Sequence, residues 1–263
     1  MSTASGREAS MIVQIITCRK SSDRRLAPAL ASLDVLDLAC DVDVVDGYVA
    51  EDPVVDELYD PARNRRHAKR PISRTEVAVY ASHRLAWQRL LDSGHAAALV
   101  LEDDFKLRDP DTVAKAVGTC GELLDQDRDI VKLFDFAKRS ENRAAFTKRI
   151  GGIELIKWQS PTAGMVGYLI SRRGAEKFLS RKRVYRQVDE DTKYFWELGL
   201  EVWSVPGNPV VERSVDLGGS IVDAERDSMK TRSLGRSLWG NLITADRKIR
   251  TRYHLMRERM RQT

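Results

Sequence analysis

The sequence predicts an α/β domain in which a mainly parallel, mixed sheet lies between layers of helix. Three observations predict it. Apolar runs of strand length alternate with helical periodicities along most of the 263 residues. The run Ala97–Leu101 has no polar alternation, as in a strand buried on both faces. The elements run in the order β-α-β-(loop)-α-β-α-β, as in a three-layer domain with a mainly parallel sheet.

The elements follow in order. Met11–Thr17 reads as a strand buried on both faces, after a ten-residue lead-in expected to be disordered and without the apolar stretch of a secretory signal. Asp23 to about Leu33 reads as a helix with Ser22 or Asp23 as N-cap. Asp41–Val45 is a second strand, closed by Asp46-Gly47. Residues 48–71 show no sustained periodicity and read as a long loop, acidic in its first half and basic in its second. Ser73 and Glu76 form a capping box for a strong helix with Tyr80, His83, Trp87 and Leu90 on one face. Gly94 ends that helix and the Ala97–Leu101 strand follows. Asp109-Pro110 starts a helix to about Leu124, and Asp129–Leu133 is a strand. Residues 138–152 read as charged and irregular. Ile153–Trp158 and Met165–Ser171 read as strands, Arg173–Leu179 as a short helix, Asp189–Leu198 as a helix stopped by Gly199, and Glu201–Val205 as a closing strand.

Charge is unevenly spread. The chain carries a net +5, yet residues 230–263 alone hold ten Lys or Arg against Asp246 and Glu258, so the rest is net acidic. That is a basic appendage on an acidic body, not the basic surface of a nucleic-acid binder, and no nucleic-acid partner is expected. The three cysteines fit no metal or redox spacing and read as reduced thiols of a cytoplasmic protein. No Gly-x-Gly-x-x-Gly follows the first strand and no phosphate-binding Walker sequence is present. The expected organisation is a lead-in at 1–10, a catalytic domain at 11–225 and a basic amphipathic segment at 226–263.

Glu102-Asp103-Asp104 closes the most apolar strand. Carboxylates cannot sit beside such a strand unless something neutralises them. Ligands of open α/β sheets bind at this end of the strands, so the triplet points to a hard divalent cation, Mg²⁺ or Mn²⁺, and through it to a phosphorylated substrate. Alternation places Glu102 and Asp104 on one side, Asp104 as the direct metal ligand and Glu102 helping through water or the donor's ribose, while Asp103 points away as a cap or a group supporting the ligands; a turn at this point would exchange those roles.

Other residues carry two readings each. Arg19 and Arg24 sit where donor phosphate or a base could dock, or begin a solvated helix. His83 lies near the nucleotide or is a satisfied core histidine. Lys132 contacts donor phosphate or snorkels from its strand. Gly167 allows close approach of a sugar or serves strand packing. Asp189, with Asp191 second, is the candidate general base, or both only favour a helix N-terminus. In the tail, Trp239, Leu242, Ile243, Ile249, Tyr253, Met256 and Met260 make an apolar stripe between Arg clusters. It suits an anionic membrane surface or packing on the domain.

The ordered set Thr17-Cys-Arg-Lys-Ser-Ser-Asp-Arg24, Val44-Val-Asp-Gly47, Glu76-Val-Ala-Val-Tyr-Ala-Ser-His83, Leu99-Val-Leu-Glu-Asp-Asp-Phe105, Gly164-Met-Val-Gly-Tyr-Leu-Ile-Ser-Arg-Arg-Gly-Ala175 and Val188-Asp189 resembles the family 25 glycosyltransferases, the lipo-oligosaccharide galactosyltransferase group. The resemblance spans roughly residues 11–212. It implies a GT-A-like, three-layer nucleotide-sugar fold, a UDP-sugar donor, usually UDP-galactose, and Mn²⁺. It carries the family's acidic motif onto Glu102, Asp103 and Asp104, its Ser-His pair onto Ser82 and His83, its Gly-Tyr-Leu-Ile-Ser stretch onto Gly167–Ser171 and its late acidic position onto Asp189. The segment Thr75-Glu-Val-Ala-Val79 departs from the family's usual Gly-Glu-x-Gly-Cys. The expected activity is transfer of a hexose to a saccharide or lipid-linked acceptor of lipopolysaccharide or a related glycan, at the inner face of a membrane. The alternatives are a metal-dependent phosphohydrolase or nuclease, or a catalytically degenerate glycan- or nucleic-acid-binding protein.

Overall fold

The computed structural model describes residues 11–21, 23–38, 40–125, 128–137, 142–213 and 234–262. The lead-in, the candidate cap Ser22 and the first part of the tail fall outside them. In chain order the elements are β1 (Met11–Cys18), α1 (Asp23–Asp34), β2 (Asp41–Gly47), α2 (Val54–Leu58), α3 (Pro61–His67), α4 (Arg74–Ser93) and β3 (Ala97–Glu102). There follow β4 (Phe105–Leu107), α5 (Pro110–Gly118), α6 (Cys120–Leu124), β5 (Ile130–Lys132), β6 (Ala144–Ile150), β7 (Ile153–Trp158) and β8 (Gly167–Ser171). The last are α7 (Arg172–Leu179), α8 (Val188–Lys193), α9 (Phe195–Leu198), β9 (Val202–Ser204), β10 (Val210–Glu212) and α10 (Leu234–Gln262).

Eight strands form one mixed sheet in the order β2-β1-β3-β8-β5-β9-β7-β6, and β4 pairs with β10 in a separate ribbon. Parallel pairing links β1 to β2, β1 to β3 and β5 to β9, while β8 runs antiparallel to both β3 and β5. The parallel character is therefore concentrated in the N-terminal half, where the crossover helices lie.

Strand pleating explains the unbroken apolar runs. Val13 and Ile15 of β1 and Leu99 and Leu101 of β3 enter one core with α1, α5 and α6. Ile12 and Ile16 of β1 and Ala98 and Val100 of β3 enter a second core with α2, α4 and α7. Both faces are covered, so both sets of side chains are apolar, each large one contributing roughly 1.5–3 kcal/mol. α4 is held at one end by the Ser73–Glu76 capping box and stopped at the other by Gly94 at φ 78°. Trp87 of α4 stacks on Phe178 of α7 at 4.3 Å.

Four sequence expectations are corrected. Residues 48–71 contain α2 and α3 rather than a loop. Asp60 caps α3 through the Arg63 N–H, and Pro61 sits at its first turn. Two members of the basic run there are ion-paired: Arg70 binds Glu76 and Arg74 binds Asp56. Residues 144–150, read as irregular, form edge strand β6 against β7; its exposed, charged face hides the strand pattern, as sheet edges commonly do. The helices expected at 109–124 and 189–198 are each broken in two, at Thr119 and Tyr194.

Candidate active site

β1 leads through α1 to β2 on one side, and β2 returns through α4 to β3 on the other. The chain therefore changes direction between β1 and β3, which is a topological switch point. Their carboxyl ends are level: Ile16 lies beside Glu102 and, across β1, Cys18 beside Gly47. A cleft opens there, bounded by Thr17 and Cys18, by Tyr48 and Val49, by Ala78, Val79, Ser82 and His83 of α4, and by Glu102, Asp103, Asp104 and Glu212.

Each wall has a local cause. Ser82 donates to Ala78 O and accepts from the Tyr48 N–H at 2.8 Å, tying α4 to the end of β2. Gly47 makes room for this, because a Cβ there would lie 2.4 Å from Ser82 Oγ and 2.8 Å from Thr17 O. The β4–β10 ribbon places Glu212 opposite Phe105, and the Arg213 N–H binds Asp104 O.

The triplet does not continue as a strand. β3 stops at Glu102 and the backbone turns, so Asp103 and Asp104 both face the cleft. Asp103 accepts from Thr17 Oγ1 at 2.7 Å. Arg25 reaches Asp104 Oδ2 at 3.3 Å and Asp103 Oδ1 at 3.6 Å. The other Asp104 oxygen, Oδ1, is buried and has no hydrogen-bond partner among the described residues. Burial, with Glu102, Glu212 and Asp103 nearby, pushes the Asp104 carboxyl up to about 7 against the pull of Arg25.

Glu102 keeps 29% of its side chain open. Its carboxyl is pushed up to about 8, first by desolvation and then by Glu212, Asp189 and Asp103. It also ends a buried hydrogen-bond chain. Trp87 Nε1 donates to the Tyr168 hydroxyl at 2.9 Å. That hydroxyl lies 2.9 Å from His83 Nδ1, where its own proton finds an acceptor. The imidazole proton is therefore assigned to Nε2, which donates to Glu102 Oε1 at 3.2 Å. Complete burial holds His83 down at about 3, so the ring is neutral.

These shifts have a consequence for the protein free of divalent cation. The folded state binds protons more tightly than the unfolded chain, so the stability gained by protonation is present at low pH and lost as pH rises through about 7 and 8. We expect thermal stability to fall between about pH 5 and about pH 8, by roughly 2 kcal/mol after allowing for the open side of Glu102. Thermal denaturation across that range checks it, and Glu102→Gln should flatten the slope.

The remaining candidates scatter. Asp189 opens α8 half-buried, and its charge acts on both Glu102 and His83. Burial raises its own carboxyl. Asp191, the second candidate base, is turned away: Tyr80 donates to it at 2.7 Å, and Arg181 and Arg186 lie at 3.1 and 3.2 Å. Lys132 is buried on Asp135 Oδ1 at 2.5 Å and on Thr162 O, which removes it from donor binding. Arg19 is committed to Asp52 at the surface. Nothing is described of the Arg24 side chain, and the neighbouring Arg25 faces the carboxylates instead. Gly167 serves packing, since a Cβ would meet Val210 and Leu101 at 3.0 and 3.1 Å. Sequence reasoning missed Arg25 and Glu212. The first lies one position past a named arginine; the second carries no local signal, because only strand pairing brings it across.

The donors facing the cleft are hard oxygens, and one of them is an orphan, which fits a divalent cation. Among the described residues no group of three or more His, Cys, Asp or Glu is arranged to hold a metal ion by itself. A cation here would have to be held by one or two carboxylates together with substrate phosphates and water, as Mg²⁺ commonly is.

Fold and cleft together define an α/β protein with an acidic cleft at a switch point of its sheet. The profile of glycosyltransferase family 25 (LPS biosynthesis protein) matches residues 13–192, and the chain belongs to that family. Among curated proteins none matches. Among solved structures, the chain is similar to the crystal structure of A197 from STIV, with 12% identity, a TM-score of 0.37, and coverage of 74% of this chain and 81% of that one.

Proposed function

We propose that the cleft binds a UDP-hexose, UDP-galactose on the family resemblance, and that the protein transfers the hexose to a saccharide acceptor of lipopolysaccharide or a related glycan, on a GT-A-like fold. The family supports glycosyl transfer. The observation that carries the donor is the orphaned Asp104 Oδ1 among carboxylates at the switch point.

In this reading Asp104, with Glu102 in support, holds Mn²⁺ or Mg²⁺. When bound, the cation supplies positive charge against the departing diphosphate. The rest is done by the chain's own residues. Arg25 and Thr17 fix Asp103 and Asp104 so that little reorganisation is needed when the donor arrives. The Trp87–Tyr168–His83 chain orients Glu102 from behind. Tyr48, Val49, Ala78 and Val79 give the cleft an apolar wall suited to a base. Asp189 takes the proton of the acceptor hydroxyl, for which a raised carboxyl is better matched near neutral pH. Family membership weighs against the hydrolase and nuclease alternatives.

Titration calorimetry tests the donor assignment. UDP should bind in the presence of Mn²⁺ and bind far more weakly in chelator. Equal affinity with and without the cation would refute the metal role, and no binding of UDP or UDP-sugars under either condition would refute the donor.

A further inference from the structure

α10 meets the domain with one face. Arg247 and Thr251 are buried, His254 stacks on Trp196 at 5.5 Å, and Glu258 binds Lys157 at 2.5 Å. These positions recur at the spacing of a single helical stripe. At 100° per residue the opposite side of the helix carries Leu238, Leu242, Ile249, Tyr253, Met256 and Met260, each more than half exposed, with Trp239 at its edge. Of the stripe read from the sequence, Ile243 is half-buried, and the other six side chains are exposed, with none of the described residues covering them.

The flanks identify what covers it. Arg250, Arg257 and Arg261 border the stripe on one side, and Lys248, Arg252 and Arg259 on the other. The acid on this half of the helix, Asp246, is bound to Arg250 at 3.0 Å. A second copy of the chain would suit the apolar spacing, because Leu242, Ile249 and Met256 with Trp239, Tyr253 and Met260 fall at heptad intervals. It fails on charge: in either orientation the borders would set Arg250 and Arg257 or Arg252 and Arg259 against arginines of the other copy. An apolar seam bordered by cations on both sides fits a surface that is apolar inside and anionic at its rim.

The geometry points to an anionic lipid bilayer as the occupant of this face. α10 would lie in the plane of the interface, with Leu242, Ile249 and Met256 at the acyl boundary and the flanking cations among the phosphates. Trp239 and Tyr253 are residue types favoured at that depth. The opposite face would stay on the domain and tether the cleft to the membrane. Among the described residues no helix is long and apolar enough to cross a membrane, so the attachment would be peripheral. This inference does not depend on the donor assignment, because its readout is binding and not transfer.

Flotation of the full chain with vesicles tests it. Vesicles of phosphatidylglycerol and phosphatidylethanolamine should carry the protein, and vesicles of phosphatidylcholine alone should not. Added salt should release it. Ile249→Glu combined with Met256→Glu should abolish flotation, with circular dichroism and melting temperature unchanged because both side chains are exposed. Arg252→Gln with Arg257→Gln should lower the partition coefficient about 25-fold, about fivefold per cation. Equal binding to neutral vesicles, or none to anionic ones, would overturn the inference; the latter would leave an acidic protein as the partner. A reversible dimer in sedimentation that Ile249→Glu dissolves would also overturn it.

Discussion

Asp104→Asn should cut the affinity for UDP with Mn²⁺ at least 100-fold, and at the same time make the cation-free protein more stable at about pH 8. The two effects have one origin. Asp104 is buried beside three other carboxylate side chains; among the described residues a single arginine contacts it and one of its oxygens has no partner. An amide of the same shape removes the ligand charge, and with it the charge that costs stability when no cation is present. The stabilisation should be about 1–2 kcal/mol at about pH 8, a few degrees in melting temperature. It should shrink as pH falls and vanish below about pH 4, where the carboxyl is protonated in the unfolded chain as well, the native value standing at about 7. Calorimetry and melting curves on the same preparation measure both. Unchanged nucleotide affinity would take Asp104 out of the site, and destabilisation at high pH would show that Arg25 already satisfies its charge.

Asp191→Ala should unfold the protein readily rather than slow it. Asp191 is 1% exposed and holds Arg181, Arg186 and the Tyr80 hydroxyl together, with Glu197 binding both arginines from the other side. Removing the carboxylate leaves two buried cations with Glu197 as the one carboxylate they share among the described residues. The expected cost is about 3–5 kcal/mol, roughly 10 °C in melting temperature for a domain of this size. Asp189→Asn should do the reverse, leaving the melting curve near the wild type and abolishing transfer. The pair separates the two candidate bases that sequence alone left side by side. A stable Asp191→Ala protein with no activity would return Asp191 to the catalytic candidates.

What could be read from the chain depended on how local the physics was. The strands β1, β2, β3 and β7 and the helix α4 announce themselves, because burial on a face or two writes a period into the sequence and Ser73–Glu76 writes a start. The acidic triplet was legible for the same reason, as an electrostatic oddity at a strand end. Edge strand β6 was not, since its exposed side chains carry no apolar period. β10 was not, since three residues are too few for a pattern. The partners of charged groups were the least legible. Nothing near Lys132 in sequence says that Thr162 O lies next to it, and nothing distinguishes Arg25, which faces the triplet, from Arg19, which does not. Those facts belong to the pairing of distant strands. Similarly, the tail's apolar stripe was visible as a period, but only the contacts of His254 and Glu258 reveal which side of the helix is already spent.

Trp87 fills the core beneath α4, and by volume alone Phe would replace it acceptably. Yet its indole N–H is the first donor in a line that ends on a cleft carboxylate. A phenyl ring in its place keeps the packing and lets the Tyr168 rotor swing, so that the imidazole is free to choose its other tautomer and turn a lone pair toward Glu102. Interior residues chosen for bulk and interior residues chosen for proton bookkeeping are therefore the same residues here. Repacking this interior for greater stability should treat Trp87, Tyr168 and His83 as a single inherited unit.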